Sequence, residues 1–229
     1  MNEPKNNASI ISMFHIHKSF GSYNALIDIT LDILKNDFLF ITGPSGAGKS
    51  TLLKLLYLAE KVSDGVILVD GMNLSRITRS KIPFLRRKFG IIFQDYKLIQ
   101  NRTVFDNISL VLESAGKSRK FIEKKVAGVL KIVKMERKQH VFPPSLSGGE
   151  QQRVAVARAI AGEPGIILAD EPTGSLDSES ASMIMDLLRR FHYHGSTVIV
   201  ATHDKELIYK TGGRIVHLDH GRMVSPGQA

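Results

Sequence analysis

The sequence predicts an α/β fold with a mainly parallel sheet and helices on both faces. Three observations predict it. Apolar runs of strand length alternate with helical stretches along most of the chain. The run at 38–42 opens directly into a glycine-rich turn followed by a leucine-rich helix, and the run at 166–169 ends in two adjacent carboxylates.

Taken in order, residues 1–9 read as a polar tail with no apolar core like that of a signal peptide. Short β segments follow at 11–17 and 25–34, then the buried strand at 38–42. Residues 50–60 lack Gly and Pro and predict a helix; 66–69 is a strand ending at the Asp70-Gly71 turn. A strand at 90–93 leads into helical patterns through about residue 138. Pro143-Pro144 breaks the chain before a helix at about 149–161. Strand 166–169, helix 179–191, strand 197–201 and a hairpin-like pair at 214–218 and 223–224 complete the reading. The expected organisation is a single domain over 10–229. The early β segments form an antiparallel subdomain, and a helical subdomain is inserted at about 95–160.

Composition bounds the function. The 229 residues are 43% hydrophobic and 23% charged, and there is no cysteine for a disulfide framework or a thiolate metal site. The longest apolar runs fall far short of the ~20 residues that span a bilayer, which predicts a chain that stays in the cytoplasm. Charge is uneven. Between Arg76 and Lys138 stand 17 Lys/Arg against five Asp/Glu, a local balance of +12 within a chain of net charge +9. Such a lobe is either a solvated helical surface or a contact with an anionic one, lipid or nucleic acid.

The stretch Gly43-Pro44-Ser45-Gly46-Ala47-Gly48-Lys49-Ser50-Thr51 satisfies G-x-x-x-x-G-K-[ST] between a strand and a helix, the context a phosphate-cradling P-loop requires. Its glycines let backbone N–H groups turn toward phosphate oxygens, and the helix start adds partial positive charge. Lys49 suits the β- and γ-phosphates, and the Ser50 hydroxyl suits Mg²⁺. The serine-nucleophile motif G-x-S-x-G fails, because Ala47 stands where its second glycine belongs. At the end of strand 166–169, Asp170 suits Mg²⁺ and Glu171 a general base for water. Ser147-Gly148-Gly149-Glu150 marks a second helix start with phosphate-binding character. Ser147 and Glu150 alone would also fit an ordinary capping box.

Leu146-Ser147-Gly148-Gly149-Glu150-Gln151-Gln152-Arg153 resembles the ABC (ATP-binding cassette) signature, and the resemblance extends over about residues 10–225. It implies a P-loop NTPase core of the ABC ATPase type that hydrolyses ATP with Mg²⁺ as a homodimer, nucleotide at the interface. Ser147, Gly148, Gly149 and Glu150 of each copy then face the nucleotide of the other. It further implies that Phe20 stacks on adenine, where tyrosine is common. Gln94 contacts Mg²⁺ or water, Asp177 belongs to the loop crossing the dimer interface, and His203 contacts the γ-phosphate. The segment from Phe93 to Ile108, with Asp95-Tyr96-Lys97 and Arg102-Thr103, is similar to the bacterial cell-division ATPase family FtsE. That similarity implies an FtsX-like integral membrane partner regulating cell-wall hydrolysis, and a peripheral position on the inner membrane face. The alternative is the ATPase of a lipoprotein-release or macrolide exporter, LolD-like or MacB-like. Against a nucleic-acid role stands the absence of the long coiled coil or second cassette that such ABC proteins carry.

Overall fold

A computed structural model describes residues 8–224. Two sheets organise it. The first is antiparallel, in the order β2 (Tyr23–Leu34), β1 (Ser9–Phe20), β4 (Asp64–Val69), β5 (Met72–Asn73). The second holds β3 (Phe38–Thr42), β6 (Phe89–Ile92), β7 (Ile166–Asp170), β8 (Thr197–Ala201), β9 (Arg214–Asp219) and β10 (Arg222–Val224) in the order β10-β9-β3-β8-β7-β6. All its pairings are parallel except the terminal β9–β10 hairpin.

The period-2 rule explains the layering. In β3, Phe38 and Phe40 point into a core with α3 (Val104–Ser114), α4 (Arg119–Ile132), α5 (Gly148–Ile160) and α6 (Ser178–Tyr193). Leu39 and Ile41 point the other way, onto α1 (Lys49–Leu56) and the antiparallel sheet. Strands buried on both faces read as continuous apolar runs, which is why β3, β7 and β8 were legible without alternation.

Several boundaries differ from the sequence reading. The helix expected over 50–60 stops at Leu56, because Leu58 turns into the left-handed region at φ 56° and the N–H groups of Ala59 and Glu60 fold back onto the Lys54 carbonyl. β1 begins at Ser9, one residue inside the expected tail; most of that tail lies outside the described residues. Two short helices were not read: α2 (Ile82–Arg86), opened by Pro83, and α7 (Lys205–Thr211), capped by Asp204. Both are too short to show a 3.6-residue period.

Candidate ATP site

β3, β6, β7 and β8 each deliver a site residue just past the C-terminal end, where ligands bind in such sheets. β3 runs into residues 43–48, which wrap the start of α1. Gly48 caps that helix at φ 101°, and a Cβ there would sit 2.5 Å from the Ala25 carbonyl of β2, so only glycine closes the loop. Lys49 donates to the carbonyls of Gly43 at 2.8 Å and Pro44 at 3.1 Å, curling over its own loop. The loop floors a cleft of about 520 Å³ that also exposes Ser50, Gln94, Glu171 and His203.

β7 places the two carboxylates on opposite duties. Asp170 Oδ1 accepts from Ser50 Oγ at 2.9 Å. Burial pushes its carboxyl above the ordinary value, and Glu171 adds to this; the Ser50 hydroxyl, Lys54 and Lys49 pull the other way. Glu171 turns away from the strand at φ 44° and is fixed on both oxygens. Oε2 accepts from Thr202 Oγ1 at 3.1 Å, and Oε1 lies 2.8 Å from His203 Nδ1 and 3.8 Å from Lys49 Nζ. His203 follows β8, the neighbour of both β3 and β7, so the sheet order itself brings the three motifs together.

The donor set also bears on Mg²⁺. Among the described residues no cluster of three His, Cys, Asp or Glu side chains stands ready to hold a metal alone. Ser50 and Asp170 offer a close pair of hard oxygen donors beside a phosphate loop, which is how Mg²⁺ is bound when substrate phosphates complete its shell. The residues fit the ion.

The other expected residues lie elsewhere. Ser147, Gly148, Gly149, Glu150 and Asp177 are not among those lining the cleft. Ser147 caps α5 in a reciprocal box: its Oγ accepts from the Glu150 N–H at 3.3 Å, while Glu150 Oε2 accepts from the Ser147 N–H at 3.1 Å. Lys138 bonds Glu150 and holds its carboxyl below the ordinary range. The paired glycines have a packing reason beside any phosphate role. A Cβ on Gly149 would meet Ser180 Oγ at 2.5 Å, and that hydroxyl is itself bound to Asp177, the cap of α6.

Phe20 and Tyr23 are cross-strand partners flanking the Gly21-Ser22 turn between β1 and β2. Phe20 is 44% exposed and does not line the cleft. The buried Lys18 ammonium stands 4.4 Å from its ring centroid, anchored by Glu60 at 2.9 Å. Tyr23 does line the cleft and donates to the Gly46 carbonyl at 3.1 Å. Sequence reasoning missed it; the available signal was an aromatic immediately after the turn, directly opposite Phe20.

A P-loop, a strand-end acid pair and a histidine just past the adjoining strand, converging on one cleft of a parallel sheet, define a nucleotide-hydrolysing P-loop ATPase. The ABC transporter family model matches residues 26–174. The "Cell division ATP-binding protein FtsE" of Streptococcus pneumoniae is 41% identical over 217 residues, 94% of each chain. The Bacillus subtilis protein of that name is 41% identical over 94% of this chain and 95% of its own, and the Mycobacterium tuberculosis one is 42% identical over 96% of each. Among solved structures, the ATP-binding cassette MJ0796, as a post-hydrolysis dimer bound to ADP and Pi, superposes with a TM-score of 0.87 at 35% identity, covering 94% of this chain and 97% of that one. The chain belongs to the ABC transporter family, as an ATP-binding, ATP-hydrolysing cassette of the FtsE kind.

Proposed function

We propose that the chain works as a homodimer whose ATP-driven closure is passed to an FtsX-like membrane protein at the inner face of the cell membrane, regulating cell-wall hydrolysis during division. The carrying observation is that the capped start of α5, with its hydroxyl and paired glycines, stands apart from the phosphate cleft of its own chain. One copy therefore holds the floor of one site and the cover of another. Head-to-tail pairing completes both, and the MJ0796 cassette is itself dimeric.

Within each site, Lys49 and the N–H groups at the start of α1 would hold the phosphates, with Phe20 and Tyr23 at the base end. Glu171, aimed by Thr202 and His203, takes the proton of the attacking water. Ser50, Asp170 and Gln94 would hold Mg²⁺, which would supply positive charge against the nucleotide's phosphates. The partner's seat is the groove of about 590 Å³ beside β6, walled by Phe89, Phe93, Leu110, Val111 and Pro164. No helix among the described residues is long and apolar enough to cross a membrane. In this reading residues 10–229 form one ATP-binding domain, with the helical insertion at about 95–160.

Mixing two variants tests the pairing. Lys49→Ala weakens nucleotide binding in its own chain; Ser147→Arg leaves monomer binding intact but blocks closure. Mixed, they assemble one site with both halves sound, and turnover reappears where each alone is silent. Loss of ATP binding by isolated Ser147→Arg monomers would sink the head-to-tail arrangement.

A further inference from the structure

Tyr96 and Arg158 are used by nothing above. Tyr96 and Lys97 are consecutive non-glycine residues in the left-handed region, at φ 59° and 48°. Single residues visit that region; two side-chain-bearing neighbours stay there only when their surroundings hold them. Arg158, eight residues beyond Glu150 on α5, is the holder. One guanidinium nitrogen donates to the Lys97 carbonyl at 2.6 Å and another to the Tyr96 carbonyl at 2.7 Å. The guanidinium is half-buried on the wall of the groove beside β6, and burial lowers its pKa from the ordinary value. Two charge-assisted bonds from one planar group fix the turn.

The turn sends the Tyr96 side chain to a particular place. Its hydroxyl lies 3.1 Å from Ser175 Oγ, in the loop leading to Asp177. The same oxygen is what a Cβ on Gly148 would meet, also at 3.1 Å. Beside it, Gly149 packs on Ser180, whose hydroxyl is bound to Asp177. One phenol thus touches both segments that, in the two-chain reading proposed above, face the other copy's nucleotide: the start of α5 and the loop before α6. Tyr96 is not among the residues that line its own cleft.

We propose that Tyr96 is a positioning residue for the site shared between two copies, and that Arg158 keeps it in place. The Tyr96–Ser175 bond sets the loop before α6 against the start of α5 before the second copy arrives. Association then does not bear the cost of ordering the two segments relative to each other. The inference rests on the two-chain reading, and one set of measurements separates their failures.

The background is Glu171→Gln, in which MgATP holds the dimer without consuming it. Dimer dissociation constants in MgATP come from sedimentation velocity, and MgADP affinity of the monomer from calorimetry. Tyr96→Phe, which removes only the hydroxyl, raises the dimer dissociation constant about five-fold, the size of one lost neutral hydrogen bond. MgADP affinity stays within two-fold. Ser175→Ala gives a similar shift, and the double variant is no worse than either single, because both lose the same bond. Arg158→Lys keeps the charge but not the paired donors, and moves dimerisation the same way. If Glu171→Gln alone fails to dimerise, the two-chain reading falls and this inference with it. If it dimerises and Tyr96→Phe leaves the constant unchanged, Tyr96 has no positioning role. Additive effects of Tyr96→Phe and Ser175→Ala, or a parallel fall in MgADP affinity, also overturn it.

Discussion

At the scale of single residues, Glu171 shows how backbone and side chain cooperate. Its left-handed φ aims the carboxylate off the strand end, and Thr202 and His203 then fix both oxygens. Glu171→Gln keeps the shape and loses the basicity. ATP turnover falls by at least about 10²-fold while nucleotide still binds, as single-turnover assays and a filter-binding titration would show. Near wild-type turnover would remove Glu171 from its assigned role. The loop residues, Asp170 and Glu171 were legible because their chemistry is local in sequence: a glycine spacing, a carboxylate pair after an apolar run. Tyr23 was not, because its partner Gly46 lies 23 positions away and the hydrogen bond depends on how a hairpin docks on the loop.

Among the elements, the loop from Leu98 to Thr103 is held by one side chain of the helix that follows it. Asn107 is fully buried. Its Oδ1 accepts from the Ile99 N–H at 2.8 Å, and its Nδ2 donates to the carbonyls of Ile99, Arg102 and Thr103. Thr103 meanwhile caps α3 in a reciprocal box with Asp106. A loop with no sheet or helix of its own thus has its backbone groups met by one amide side chain. Asn107→Ala leaves these groups unpaired in a dry place and costs about 2 kcal/mol or more, read as a lower midpoint in urea unfolding; Ser114→Ala on the exposed end of α3 moves it little. An unchanged midpoint for Asn107→Ala would contradict the network. The helices between 93 and 138 ran together in the sequence reading because polar surface positions blur the period. Their caps, Thr103 with Asp106 and Ser118, were the boundary signals.

For the whole molecule, the structure sorts the basic lobe that composition could only count. Arg86 donates to the carbonyls of Tyr57 and Leu58, Arg87 to that of Ser114, and Lys88 pairs with Asp70. These cations hold elements together. Arg76, Arg79 and Lys81 are exposed on short turns, as are Lys117 and Lys120 around the start of α4. Reversing Arg76, Arg79 and Lys81 to glutamate therefore lowers recovery with anionic vesicles in flotation assays, most at low salt, and leaves the unfolding midpoint nearly unchanged. Reversal of Arg86 and Arg87 instead lowers the midpoint. Equal flotation by the triple variant and the parent would leave the lobe a solvated surface.

The separation of the α5 cap from its own cleft has a consequence for the cell's fuel economy. Under the two-chain reading, a lone copy binds nucleotide yet lacks the group that closes over it. Turnover then begins with an encounter, so the rate per copy climbs with local density. Copies scattered through the cell idle, and copies gathered at one place consume ATP there. The same cap that finishes the active site thereby acts as a census of neighbours, and the work is confined to wherever the chains are crowded.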